Sequence, residues 1–283
     1  MRKTKLLFAL SIVLTTQTFG QSGTLSLTKG QKFSIENKIT AVNNQEVMGQ
    51  SMESKADVNT LSTIEVQNVK DNNFDLTNNI AHLKAVMSVM GQEMGFDSDK
   101  KEDLESDKGT ELKNVINHPK NLTITNSGKI ISGSKEESKK VGDEMAQMMV
   151  RLLGDNPTTD GYGISLVFIP LPKNVAPGYS WMDSSSNEET KKKTTYTVKE
   201  INGSDALITF TGTTATESQT EMQGVQVSTK ISGTLKGQET IDTHTGVLKI
   251  KNSTVESTGT LSAQGMDIPM TTKITSVLSV KGS

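Results

Sequence analysis

The chain has 283 residues, 33% of them apolar and 4% aromatic, with 36 Thr, 29 Ser, a formal net charge of -2 and no cysteine. The absence of cysteine excludes a disulfide framework, thiolate metal sites, thiol catalysis and a lipidated cysteine anchor. The near-neutral charge excludes a basic nucleic-acid binder, and the wealth of Thr suits exposed faces of β-strands more than helices.

In chain order, the first element is an export signal. Arg2, Lys3 and Lys5 precede an apolar run from Leu6 to Leu14, and Thr18-Phe19-Gly20 places small residues where a signal peptidase reads. Cleavage is expected near Gly20/Gln21. The apolar run falls far short of the roughly 20 residues that span a bilayer, and no later stretch is long enough. The expected product is exported, periplasmic or secreted, with no integral membrane segment in the mature chain and a slightly acidic charge that disfavours a polybasic hold on anionic lipid.

From about residue 31 the sequence alternates apolar and polar residues, as in Phe33-Ser34-Ile35, Thr63-Ile64-Glu65-Val66, Leu122-Thr123-Ile124-Thr125 and Tyr196-Thr197-Val198. Period-two alternation marks antiparallel strands with one wet face. Asp71-Asn72-Asn73, Asn126-Ser127-Gly128, Asn202-Gly203 and Thr245-Gly246 carry turn chemistry between the runs. Four Gly-Gln or Gln-Gly pairs, at 49–50, 91–92, 223–224 and 264–265, are expected at hairpin tips, where glycine supplies positive φ. The run at Ile64–Val69 with its Asn-rich turn resembles Tyr196–Ile201 with Asn202-Gly203. Leu122–Gly128 likewise resembles Glu239–Gly246. These pairs outline pseudo-repeat halves at about 31–133 and 194–281 within a single exported β domain, 21–283.

One segment breaks the alternation. Ser134 and Glu137 form a capping box, Val141, Met145, Met148, Met149 and Leu152 share one helical face, and Gly154 and Pro157 stop the run. A helix is therefore predicted over 135–153, with segment 155–193 completing the connection between the halves. The charged stretches 97–108 and 184–193 read as solvated loops or frayed helix.

Chemistry-bearing motifs are sparse. His82, His118 and His244 show no ligand spacing, and no nucleophile elbow, phosphate loop or dinucleotide fingerprint occurs. Asp97, Asp99, Glu102, Asp103, Glu105 and Asp107 lack the turn pattern of a calcium loop and are interleaved with lysines. The sequence therefore predicts no catalytic residues, no metal and no cofactor. The 13 methionines admit three uses: core filler, an adaptable apolar pocket, or thioether ligation of Cu(I).

Phe168-Ile-Pro-Leu-Pro172-Lys-Asn-Val175-Ala-Pro-Gly178-Tyr-Ser-Trp181, followed by Tyr196-Thr-Val198 and the Asp242-x-x-Thr245-Gly246 turn, resembles segments of an uncharacterised family of exported bacterial β-proteins. That family brings no catalytic residues with it. The layout also resembles, more distantly and by analogy, the half-barrel carriers of lipoproteins and lipids in bacterial envelopes.

The expected fold is mainly β and antiparallel: two related curved sheets, or a half-barrel, with one amphipathic helix on the concave face. The expected function is non-enzymatic binding of an apolar ligand, a lipid or acyl chain, between sheet and helix. Val141, Met145, Met149 and Leu152 would line the space, with Phe168 and Trp181 at its rim. Two alternatives stand beside it: a structural or protein-interaction module with an envelope protein as partner, and methionine-based periplasmic copper binding.

Overall fold

The protein is described by a computed structural model over residues 23–47, 49–113, 115–133, 166–186, 189–222, 225–263 and 266–282. The export signal and the helix expected over 135–153, with Val141, Met145, Met149 and Leu152, lie outside the described residues.

The alternating runs become strands β1 (Lys32–Val47), β2 (Gln50–Lys70), β3 (Asn73–Val89), β4 (Gln92–Asp97), β5 (Lys120–Thr125) and β6 (Ile130–Gly133). The second half supplies β7 (Ser180–Ser186), β8 (Thr190–Asn202), β9 (Asp205–Met222), β10 (Val225–Asp242), β11 (Leu248–Ala263) and β12 (Met266–Gly282). All pair antiparallel in one open sheet, ordered β6-β5-β3-β2-β1-β12-β11-β10-β9-β8-β7, with β4 also on β3. The mainly β, antiparallel architecture expected from the alternation is thus the one adopted. The halves are continuous with one another because β1 pairs with β12 from Phe33–Gly282 to Gln45–Met270.

Turn chemistry sets the hairpins. Asp71 (φ 50°) and Asn72 (φ 65°) both take the left-handed conformation between β2 and β3, as do Met90 (φ 53°) and Gly91 (φ 76°) between β3 and β4. Two successive positive φ values match the twist of the flanking strands. At each of the four Gly-Gln or Gln-Gly pairs, the strands on either side meet in antiparallel register.

The sheet curls, because residues near its two opposite ends share one core. Leu122 and Ile124 of β5 pack in the same cluster as Tyr196 and Val198 of β8, with Phe33, Ile64, Phe74, Ile208, Ile241 and Leu248 between them. Two irregular segments, 23–28 and 166–171, fasten this closed end. The Leu25 amide donates to Asn126 O (2.6 Å), the Ile169 amide to Gly246 O (2.7 Å) and the Leu248 amide to Val167 O (2.8 Å). Gly128 and Gly246 permit the approach: a Cβ at Gly128 would lie 2.8 Å from Phe168 O, and one at Gly246 2.7 Å from Leu25 Cδ2.

A second core cluster is built by the first half, with Ile274 of β12 packed against it. Ile39, Ala41, Ala56, Val58, Leu83, Ala85 and Met87 on the inner face meet Phe96, Leu112, Val115 and Ile116. The last three come from the stretch between β4 and β5, where the helical alternative for 97–108 is the one adopted, as short helices α1 (Lys101–Glu105) and α2 (Asp107–Leu112). The Ser106 hydroxyl accepts from the Gly109 amide at 3.1 Å and caps α2.

Candidate functional site

Cross-strand register assembles the inner face rung by rung. One rung is aromatic: Trp181 pairs with Tyr196, and Tyr196 with Phe210. Trp181 stacks on Tyr196 with centroids 5.3 Å apart, and Tyr196 meets Phe210 at 5.8 Å. Beyond Phe210 the ring covers Gly237, where a Cβ would lie 2.5 Å from Phe210 Cζ. The Lys251 ammonium caps the same ring at 4.7 Å from its centroid.

Lys251 also holds Glu239 at 2.6 Å, and Glu239 is 1% exposed with its Oε1 lacking any hydrogen-bond partner. A buried ion pair of this kind adds little net stability, but removing one partner strands the other.

Two rungs further along, the inner face turns polar. Lys192 pairs with Thr214, Thr214 with Gly233, Gly233 with Ser257, Ser257 with Thr272, Thr272 with Asn43 and Asn43 with Ser54. These seven positions form a belt across seven strands, with Lys192 its one charged member. The Thr272 hydroxyl donates to Asn43 Oδ1 at 2.9 Å. Thr214 Oγ1 and Asn43 Nδ2 are buried without partners, as is Oγ1 of Thr194, one rung below the belt. Burial and the Lys251 ammonium pull the Lys192 pKa down from 10.5 to about 8, against the attraction of Asp183 and Glu239. Burial pushes the Asp183 carboxyl up, opposed by Lys192 and a bond from the Ser184 backbone.

Half-buried aliphatic side chains flank the belt: Ile231 on one side, and Leu235, Val255 and Ile274 on the other. Gly212, Gly233 and Gly259 interrupt them, where a Cβ would meet Lys193 O at 2.3 Å, Ser257 Oγ at 2.4 Å and Lys230 O at 2.3 Å respectively. Strands this crowded on one side are bent toward it, so these glycines belong to the curvature of the second half.

The sequence-predicted residues fall as follows. Phe168 is 2% exposed and sits in the closed-end core, edge-on to Phe33 at 5.6 Å. Trp181 is half-buried against that core. Met87 and Met94 face each other across β3 and β4, while Met52 and Met270 are separated by Gln45. The Val175-x-x-Gly178-x-x-Trp181 spacing has a physical basis: the Gly178 amide (φ 88°) donates to Val198 O at 2.8 Å, which sets Trp181 opposite Tyr196.

Sequence reasoning missed one cluster. His82, Asp97 and Asp99 bring ligand atoms within 4.8 Å of one another, because β4 returns along β3 and pairs Asp97 with Lys84. His82 Nδ1 lies 3.0 Å from Asp99 Oδ1, and Lys84 Nζ 3.5 Å from Asp97 Oδ2. The Asp99 amide bond to Asp97, helped by Lys84 and His82, holds the Asp97 carboxyl below its ordinary value against the effect of burial. A lysine occupying one carboxylate makes this a surface charge network.

Two open hollows lie on the sheet. One of about 760 Å³ runs at the level of the belt, lined by Lys192, Thr214, Gly233, Ser257 and Thr272 and by their neighbours along each strand, with Glu256 and Lys273 paired at 3.0 Å. Another of about 730 Å³ lies over β3 and β5, where Thr123 already donates to Asp75 at 2.8 Å.

The fold and this face define an open, curved antiparallel β-sheet protein. The chain belongs to a family of unknown function (DUF6263), whose model matches residues 71–248. No curated protein matches it. Among solved structures, a lipovitellin structure described under lipid–protein interactions is similar with a TM-score of 0.48 and 12% identity, covering 90% of this chain and 26% of that one. The chain therefore spans about a quarter of that protein's length. An outer-membrane channel from Pseudomonas putida F1 is similar at TM-score 0.24 and 9% identity, covering 93% and 100%. OmpF of Salmonella typhi, in complex with daunomycin, is similar at 0.26 and 7%, covering 89% and 98%. Among the described residues, no helix is long and apolar enough to cross a membrane.

Proposed function

We propose that this is an exported, non-enzymatic envelope protein that binds an apolar or amphiphilic ligand against the inner face of its second half. The observation that carries this reading is the unequal covering of the sheet. In the first half the inner face is closed by Phe96, Leu112, Val115 and Ile116. In the second, Ile231 and Val255 stay partly accessible around the polar belt, as do Leu235 and Ile274 where they pack against the edges of the two core clusters. Covering such side chains is favourable by about 25 cal/mol per Å² of apolar area, so a lipid or acyl chain laid there has a driving force. Trp181 marks the rim of the proposed site, backed by Phe168 in the core beneath. Helix 135–153, with Val141, Met145, Met149 and Leu152, is the proposed opposite wall.

Native mass spectrometry of the mature protein purified from its own envelope tests this. A lipid-sized adduct that is lost on denaturation and recovered by organic extraction is the expected outcome. A bare polypeptide mass that stays unchanged after incubation with envelope lipid extract rejects it.

A second reading, a protein-interaction module, is favoured by the two ends of the sheet. β6 and β7 terminate the strand order, and Ile131 and Met182 on them are exposed. Unpaired edges accept an added strand from a partner.

A further inference from the structure

We infer that the inner face carries a specific seat for a single anionic head group, a carboxylate or phosphate monoester, built from Lys192, Thr194 and Thr214. This inference rests on the proposed binding of an amphiphile and names the class of ligand.

Three side chains converge there by register. Lys192 lies directly opposite Thr214, and Thr194 lies two residues along β8 on the same face. Directly opposed side chains in an antiparallel pair sit about 5 Å apart at Cβ, within reach of one head group. Thr194 is 2% exposed. Its hydroxyl and that of Thr214 have no hydrogen-bond partner.

The charge around Lys192 is unsettled in the same direction. The acid buried nearby, Glu239, is held by Lys251 at 2.6 Å, and among the described residues no carboxylate pairs with Lys192 within ion-pair distance. Asp183 is the other acid facing it; burial raises its pKa, and Lys192 and the Ser184 amide oppose that rise. An ammonium gives three donors and no acceptor, and each hydroxyl adds one donor. A half-buried cation with no carboxylate at ion-pair distance among the described residues, beside two unpaired hydroxyl donors, suits an acceptor-rich oxyanion. Charge-assisted bonds of this kind are the strong ones.

The neighbouring residues suit the rest of such a ligand. Gly212 and Gly233 pair with Thr194 and Thr214, so no side chain rises beside the hydroxyls on β9 or β10. Leu235 and Val255 continue the face with apolar surface for a chain.

The test uses the full mature chain, stripped of lipid, and the fluorescence of Trp181, the one tryptophan in the sequence. Palmitate, hexadecyl phosphate and hexadecanol are titrated separately. At pH 7 the two anions are expected to bind at least about tenfold more tightly than hexadecanol. Lys192→Met and Lys192→Gln are each expected to erase that preference while leaving hexadecanol binding in place, with Lys193→Met, on the wet face, as an unchanged control. Whichever anion binds more tightly identifies the head group.

Equal affinity for palmitate, hexadecyl phosphate and hexadecanol in the unmodified protein overturns the inference but leaves amphiphile binding standing. An anion preference that survives both folded Lys192 variants overturns it as well. Failure of all three probes to bind rejects the amphiphile reading itself, and the seat with it.

Discussion

The two halves of the sheet are built from the same kind of alternating strand, yet they finish their inner faces differently. In the first half, β4 and β5 lie on the two ends of β3, pairing with residues 84–89 and 73–78 respectively. The chain between them folds back as α1, α2 and Ile116, over Leu83, Ala85 and Val58. In the second half, β10 runs unbroken along the whole of β9, so no insertion lies between those two strands. Residues follow that difference. The covered face is rich in Ile, Val, Leu and Ala, whereas the inner face of the second half carries the Thr, Ser, Gly and Lys192 of the belt among half-buried aliphatic residues. A sheet face left without its own cover either meets water or meets something else, and its composition records which.

The comparison can be broken most severely from the covered side. Leu83 is fully buried, and Leu83→Ala is expected to lower unfolding free energy by about 2–5 kcal/mol in urea denaturation. On the second side the sensitive positions are glycines. At Gly237 a Cβ would lie 2.1 Å from the Asn252 carbonyl and 2.5 Å from the Phe210 ring. Gly237→Ala is expected to destabilise by roughly 1–3 kcal/mol, with loss of the near-ultraviolet signal from the aromatic rung. An unchanged denaturation midpoint would show that the curl at β10 and β11 relaxes freely.

Next in size is the Asp242 turn. Its Oδ1 accepts from the Thr245 amide (2.9 Å), the Thr245 hydroxyl (3.0 Å) and the His244 amide (3.0 Å). Burial alone would raise the Asp242 pKa, but these bonds and one from Ser204 outweigh it and hold it below its ordinary 3.8. The folded state therefore binds that proton later than the unfolded one. The stability Asp242 adds is complete above pH 3.8 and disappears as pH falls through its folded value. Asp242→Ala is expected to lower the thermal midpoint at pH 7 and to flatten its acid dependence, as differential scanning calorimetry would read.

The smallest effect has the opposite sign. With a folded pKa near 8 against 10.5 unfolded, a charged Lys192 opposes folding fully below pH 8. That opposition fades as pH rises to about 10.5, because the unfolded chain keeps its proton longer. In the lipid-free protein, Lys192→Met is expected to raise the thermal midpoint by a few degrees at pH 7 and by nothing above pH 10.5. A drop at pH 7 would mean that the ammonium is needed by the fold itself.

Much of the architecture was legible in the sequence because strands write their face into every second residue. Phe33-Ser34-Ile35 and Tyr196-Thr197-Val198 alternate as buried and wetter positions, and Asp71-Asn72 turns as its residue types require. The neighbourhood of Trp181 with Tyr196 was legible through the glycine spacing before it. The insertion was harder to read, since 97–108 has the composition of a solvated loop and its covering residues, Leu112, Val115 and Ile116, come after the charged run. The polar belt was not legible at all. Its members come from seven strands, and no local pattern shows that Lys192, Thr214, Thr272 and Asn43 lie on one level. The same holds for His82 with Asp97 and Asp99, which only the return of β4 along β3 makes neighbours.

The seam between β1 and β12 has a consequence for how the molecule is made. Asn43 and Thr272, bonded across it, are 229 positions apart. Closing so long a loop is slow, and topologies dominated by distant contacts fold late. Until β12 arrives, β1 presents a long row of unpaired amides and carbonyls in the middle of what will be the sheet. Sixteen residues of raw edge would attract any extended chain nearby. β12, made long after β1, is therefore also the strand that closes this seam against other copies of the chain.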